Sequence, residues 1–196
     1  MKINRIYSPY KYCFLLAVLF FASCKEPLAP KPRAYFRIDF PKKRYEFFKS
    51  ECNFSFEYPA YGSVASAKLN TSEPCWYNIE FTDFNATIYL TYKPLIRNNL
   101  SIHIEDIRRI VYKHIIKADD INETRINIPQ KDVYSMLYDI QGNAASAVNF
   151  YITDSITGFL SGSLYFNTTP NKDSLAPAIQ FFREDIVHLI QSFSWE

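Results

Sequence analysis

Three histidines are the side chains of this sequence best suited to acid–base or metal chemistry: His103, His114 and His188. No two of them have the HExxH or His-x-His spacing at which imidazoles converge on one metal ion. His103 and His114 could share one face of a helix, but a separation of eleven residues would hold them about 16 Å apart. We therefore predict core or surface histidines and no metal site.

Hydrolytic and phosphate-binding chemistry also lack their signatures. The chain has only four glycines, at positions 62, 142, 158 and 162, and contains neither GxSxG nor GxGxxG. Its adjacent carboxylates are Glu105-Asp106, Asp119-Asp120 and Glu184-Asp185. Neighbouring residues on a helix point apart, so a glycosidase couple is weakly supported and solvated helix faces explain these pairs more simply. We predict that the protein is not an enzyme and has no cofactor; an envelope hydrolase is the least favoured alternative.

Cys24 stands at the end of a short export signal. The first twelve residues carry three basic side chains and no acid. Residues 13–22 are uncharged but far shorter than the roughly 20 residues of a bilayer-spanning helix. Phe21-Ala22-Ser23-Cys24 resembles a lipobox, with Phe21 where Leu is usual. We predict that residues 1–23 are removed and that Cys24 is acylated; an uncleaved anchor or an ordinary signal peptide is the alternative.

The remaining cysteines and the charge balance describe the exported part. Cys13 leaves with the signal, so Cys52 and Cys75 remain in an oxidising compartment, where we predict a structural disulfide. A reactive thiol or metal pair is the alternative, but there is no CxxC spacing.

Removing residues 1–23 takes away three basic and no acidic side chains and leaves 19 Lys and Arg against 20 Asp and Glu. A nearly neutral protein argues against nucleic-acid binding.

A proline-rich tether and a basic strip follow Cys24. Residues 24–34 contain three prolines and predict an extended spacer, before a single domain at 35–196. The strip is a candidate interaction surface for anionic head groups or an acidic partner; a solvated strand-and-loop surface is the alternative. Its residues are Arg33, Arg37, Lys42, Lys43 and Arg44.

Hydrophobic periodicity predicts an α+β domain. Helical spacing at 101–118 and 174–193 predicts two amphipathic helices. Connections of hairpin length predict an antiparallel sheet with the helices packed on a face. Period-two alternation predicts strands at Tyr35–Phe40, Tyr45–Phe48, Phe54–Tyr58, Trp76–Phe81, Thr87–Tyr92, Ile121–Ile128, Val133–Ile140, Ser146–Thr153 and Gly158–Phe166.

Several segments, in the same order, resemble the gliding-motility lipoprotein GldD family of the Bacteroidetes. They are KPRAYFRIDFP at 31–41, CNFSFEYP at 52–59, CWYNIEF at 75–81 and the predicted helix from Ile104 to Asp119. The resemblance implies a membrane-anchored, non-enzymatic component of gliding, tied to the type IX secretion machinery and to lipoproteins such as GldJ. It thus implies function by protein–protein interaction.

The chain has two fainter resemblances. Residues 52–92 and the chain end resemble the PsbP and Mog1 class, which implies the alternative of a periplasmic ligand-binding module. Asp154-Ser155-Ile156 and Asp173-Ser174-Leu175 resemble a periplasmic O-glycosylation motif of the Bacteroidetes.

Lys25 follows Cys24 where Asp would indicate inner-membrane retention, so we place the anchor in the outer membrane, with the periplasmic face favoured over the cell surface.

Overall fold

The computed structural model describes residues 38–67, 75–96, 99–113 and 118–196, all of which belong to one compact unit. The predicted α+β class is confirmed, and each strand predicted from Tyr45 onward is present. The elements are β1 (Tyr45–Lys49), β2 (Phe54–Pro59), β3 (Ser63–Ser66), β4 (Trp76–Phe81), β5 (Ala86–Pro94), α1 (Leu100–Tyr112), β6 (Ala118–Ile128), β7 (Val133–Gly142), β8 (Ser146–Thr153), β9 (Gly158–Phe166), α2 (Lys172–Ser192) and β10 (Ser194–Trp195).

The strands form two antiparallel sheets where the sequence suggests one. The larger has the order β3-β4-β5-β9-β8-β7-β6, and the smaller has the order β1-β2-β10. Phe54 and Phe56 of β2 are fully buried and belong to the same core as the larger sheet and α2. Alternation identifies the buried face of a strand but not the strand beside it, so the division into sheets was not predictable from periodicity.

Two hairpins of the larger sheet use the same turn. A short 3-10 turn at Thr82–Phe84 joins β4 to β5, and another at Pro129–Lys131 joins β6 to β7. Each ends on a residue with φ of 52°, Asn85 in the first and Asp132 in the second. Asn and Asp tolerate this left-handed backbone better than most residues. The turns thus place strands that are consecutive in sequence side by side.

Helix α2 covers one face of the larger sheet. Asn171 caps its start, because the Asn171 side chain accepts hydrogen bonds from the backbone of Asp173 and Ser174. The Phe182 ring packs 4.6 Å from that of Phe81. The helix begins at Lys172, earlier than predicted, so Pro177 lies in its second turn. Its buried apolar residues are Ala178, Phe182, Ile186, Leu189 and Ile190.

Helix α1 packs on the opposite face of the same sheet. Leu137 belongs to the core beneath α2, whereas the next residue, Tyr138, packs with Val111 of α1, as period-two alternation requires. Val111 is fully buried, while Ile110 is 42% exposed. The predicted helix end at Ala118 is wrong, because α1 ends at Tyr112 and Ala118 begins β6.

The chain before β1 is not a strand where the structure describes it. Ile38–Phe40 has no regular secondary structure, which contradicts the strand predicted at Tyr35–Phe40 over that part. The remainder of that prediction lies outside the described residues. Strands β3 and β10 were not predicted, since segments of four and two residues give too little alternation to recognise.

Candidate interaction surface

The segment from Phe40 to Arg44 leads into β1 and is packed against the protein. The Phe40 ring stacks on Phe181 of α2 with centroids 4.3 Å apart and on Phe84 at 5.8 Å. The backbone nitrogen of Ala60 donates to the carbonyl oxygen of Arg44 at 2.8 Å. Aromatic burial and a backbone hydrogen bond therefore hold this segment in place without secondary structure.

Lys43 points inward and binds the buried Asp185 of α2. Its amine lies 2.6 Å from Asp185 Oδ1 and donates to the carbonyl oxygen of Phe181 at 2.7 Å. The same amine lies 3.5 Å from the centroid of the Phe181 ring, a cation–π contact. Asp185 is only 1% exposed, and a buried carboxylate needs such a counter-charge.

Two tyrosines complete the bonding of Asp185. Tyr45 donates its hydroxyl to Oδ1 at 3.1 Å, and the hydroxyl of Tyr61 donates to Oδ2. Burial is the main reason that the pKa of both tyrosines is raised well above the usual range. The next cause is the negative charge of Asp185 for Tyr45 and the hydrogen bond to Asp185 for Tyr61. Both therefore stay protonated as donors. With each oxygen of Asp185 occupied and the side chain out of solvent, this is a structural ion-pair cluster.

His188 and Glu57 border this cluster. The imidazole of His188 stacks on the Tyr45 ring at 3.5 Å, and its Nε2 lies 2.7 Å from Glu57 Oε2. His103 lies on α1, with Nε2 3.0 Å from the side-chain nitrogen of Asn99. Burial, and then the charge of Lys93, lowers the pKa of His103. His114 lies outside the described residues.

The adjacent carboxylates singled out in the sequence serve separate partners, and the solvated helix face expected for Glu184-Asp185 is wrong at Asp185, which is buried. Asp106 binds Arg109 at 2.6 Å and Glu105 lies 3.5 Å from Arg108, both on α1. Asp119 forms an ion pair with Lys172. Across the residues that the structure describes, no three His, Cys, Asp or Glu side chains are grouped closely enough to hold a metal ion.

Lys42 and Arg44 face outward, on either side of the inward-facing Lys43. Both are exposed, and with Pro41, Ala60 and Tyr61 they line an open cleft of about 420 Å³. The predicted basic surface therefore needs correction at Lys43, because its ammonium group forms an ion pair with the buried Asp185. Arg33 and Arg37 of the prediction lie outside the described residues.

Asp185 and Tyr61 were not identified from the sequence as parts of this site. A signal for Asp185 existed, because it falls three residues after Phe182 and directly before Ile186, within the apolar stripe of α2. A charged residue in such a stripe predicts a buried counter-charge. Nothing in the sequence near Tyr61 indicates its contact with Asp185, 124 positions away.

The family model for the gliding motility lipoprotein GldD matches residues 25–195, which is nearly the whole chain after Cys24. The protein belongs to this family. Comparison with curated proteins gives no match. Within the described ranges, no helix is both long enough and apolar enough to cross a membrane.

Among solved structures, this GldD-family chain is similar to cyanobacterial PsbP (CyanoP) from Synechocystis sp. PCC 6803. The sequence identity is 8% and the TM-score is 0.48, with 86% of this chain and 100% of that chain covered.

A disulfide bond links the two sheets of this GldD-family domain. Cys52 lies in the turn between β1 and β2, and Cys75 directly precedes β4, with their Cα atoms 6.1 Å apart. The bond therefore crosses from the smaller to the larger sheet. Cys24, the predicted lipid attachment, lies outside the described residues.

The two serines of the glycosylation-like motifs have different surroundings. Ser155 is exposed in the β8–β9 turn, with φ of 69°. Ser174 is also exposed, but it lies in the first turn of α2 and donates its hydroxyl to the carbonyl oxygen of Asn171 at 3.3 Å. The turn thus presents its serine hydroxyl without a helix around it.

Proposed function

We propose that this protein is a lipid-anchored, non-enzymatic component of the gliding machinery associated with type IX secretion, and that it acts by binding other envelope proteins, for example GldJ. The GldD family match over residues 25–195 carries this proposal. His188 pairs with Glu57 beside the structural Asp185 cluster, and the carboxylates of Glu105, Asp106 and Asp119 bind separate basic partners. This arrangement favours binding over catalysis, because a general acid and base must converge on one substrate.

The proposed partner surface is the cleft beside Lys42 and Arg44, and its partner is an acidic protein segment. The contacts of Lys43 with Asp185 and of Phe40 with Phe181 hold the segment from Phe40 to Arg44 against the domain. The two exposed cations on this segment are therefore presented on a fixed backbone. Preorganised charges lose less conformational entropy on binding than charges on a free chain. The half-buried Tyr61 also lines this cleft.

We place the anchor at Cys24, in the outer membrane and toward the periplasm. Fourteen residue steps separate Cys24 from Ile38, and fully extended they reach at most about 50 Å. Within that distance the basic cleft would meet partners at the same membrane surface. The bilayer itself is the competing ligand, because anionic head groups attract the same cations.

Site-specific photocrosslinking in gliding cells tests this function. A photoreactive residue replacing Arg44 is expected to capture an envelope protein of the gliding or secretion machinery, and one replacing Lys93 is the matched control. Capture of lipid alone from position 44, or equal capture from both positions, would contradict the proposal. A copy lacking His103 and His188 should still support gliding, whereas Asp185 is retained in every variant because of its structural ion pair.

An open cleft on the larger sheet favours a second function, the binding of a small ligand. It has a volume of about 620 Å³ and lies beside Tyr89, a residue that is 47% exposed and whose ring lies 5.6 Å from that of Tyr165. Thr87 and Asn167 also line it. An exposed tyrosine ring with amide and hydroxyl groups suits a hydroxyl-rich molecule, and the carboxylate of Glu80 in the same cleft disfavours an anion. Loss of gliding in Tyr89→Ala, with partner capture at position 44 unchanged, would favour this function.

A further inference from the structure

We propose that β6 is a self-association edge, at which two copies of this protein join their larger sheets by antiparallel pairing of β6 with β6. The described part of the sheet ends at β6, with β7 on one side and no strand on the other. At 11 residues, β6 is the longest strand described. A long unpaired edge is a template for another strand unless its side chains prevent pairing.

The order of charges on β6 favours Thr124 over its two charged neighbours as the centre of the pairing. In an antiparallel pair around a twofold axis, one residue faces its own copy, and positions equally far from it face each other. With Thr124 on the axis, Glu123 of each copy lies opposite Arg125 of the other, giving two pairs of opposite charge. With Glu123 or Arg125 on the axis, like charges would meet directly, which is unfavourable.

The side chains around Thr124 are positioned for this pairing. Glu123, Thr124 and Arg125 are all exposed. Glu123 accepts a hydrogen bond from the hydroxyl of Tyr112 at 2.9 Å, which holds its carboxylate on the α1 side of the sheet. Arg125 has the same strand parity and therefore projects to that side. No ion pair involves Arg125 within the part of the chain that the structure describes.

The proposed pairing keeps the two faces of the sheet distinct. A twofold axis perpendicular to the sheet places both α1 helices on one face of the joined sheet and both α2 helices on the other. Residues 120–128 of the two copies would pair, which adds a nine-residue ladder. Attachment to one membrane surface would further favour the dimer by raising the effective concentration.

Cysteine crosslinking of the full mature chain tests the register. Thr124→Cys is expected to form a disulfide-linked dimer rapidly on mild oxidation, since axis residues lie roughly 5 Å apart between Cα atoms. Asn122→Cys is the matched control, because its two copies would be separated by four residue steps, about 14 Å. Equal crosslinking at both positions, or a crosslink from position 124 to another protein instead of a second copy, would overturn the proposal.

Charge reversal provides an independent test by sedimentation of the mature protein. Glu123→Arg and Arg125→Glu, each alone, place like charges opposite and are expected to weaken the dimer about tenfold. The combined exchange restores opposite charges and should recover the wild-type dissociation constant. A wild type that stays monomeric up to high micromolar concentration, or a double variant no better than the single ones, would refute the pairing.

Discussion

The amine of Lys43 lies 2.6 Å from a carboxylate oxygen of Asp185, 142 positions later in the chain. This contact fixes the segment that precedes the first strand to the terminal helix. It also divides the basic strip, because Lys43 turns toward Asp185 and is partly buried while Lys42 and Arg44 stay exposed. The segment that leads into β1 is thus held in a defined position on the domain.

Removal of the Asp185 carboxylate should destabilise the domain strongly. Asp185→Ala leaves the Lys43 amine without its counter-charge, so we expect the free energy of unfolding to fall by about 3 kcal/mol. Glu184→Ala, at the exposed neighbouring position, should change it by less than about 0.5 kcal/mol. Urea unfolding of the mature domain measures both.

A double substitution checks that the cost arises from the unpaired charge. Lys43→Met combined with Asp185→Leu should recover much of the stability lost in either single variant, since replacing both partners of a buried pair is often tolerated. Additive losses in the double variant would contradict a coupled pair.

Charge reversal at the basic cleft should affect binding and not folding. Lys42→Glu with Arg44→Glu is expected to abolish capture of an acidic partner in pull-downs from cells, while the midpoint of urea unfolding stays unchanged because both side chains are exposed. Lys93→Glu with Lys113→Glu carries the same change of charge elsewhere and should bind normally. Undiminished capture by the Lys42 and Arg44 variant would exclude this cleft as the partner surface.

The Cys52–Cys75 bond should contribute to stability through the loop that it closes. Its sequence separation is 23 residues, for which chain entropy gives about 3 kcal/mol. A reductant should lower the unfolding free energy of the mature protein by that amount and leave the Cys52→Ala, Cys75→Ala variant unaffected. Two free thiols in protein purified without reductant would contradict the bond.

Acid should weaken the turn between β8 and β9. Partial burial alone would raise the pKa of Asp154, but hydrogen bonds from Gly158, Thr157 and Ile156 outweigh it and lower the pKa below its ordinary 3.8. A carboxylate whose pKa is lower in the folded state stabilises the fold at any pH above its pKa in the unfolded chain. That stability is lost as the pH falls through its pKa in the folded protein.

A neutral substitution isolates that charge. Asp154→Asn should be less stable than wild type by about 1 kcal/mol at pH 7, and the difference should shrink as the pH falls below 4. Asp83→Asn, in the exposed β4–β5 turn, serves as the control. A difference that persists unchanged at pH 2 would show that the charge of Asp154 is not responsible.

The sequence by itself determined the α+β class, the positions of eight strands and the existence of two helices. These depend on short-range features that a sequence displays directly: alternation in the strands and helical spacing around Phe182 and Ile186. It also supplied the family resemblance, which the match over residues 25–195 confirmed.

Tertiary structure decided where the strands separate into sheets and which basic residues remain at the surface. Lys42, Lys43 and Arg44 are equivalent as sequence, and only the position of Asp185 beneath this segment turns the middle one inward. Likewise, the position of β6 as a long edge strand of the described sheet follows from the strand order and not from its composition. Both outcomes depend on contacts between residues far apart in the chain, which local periodicity does not encode.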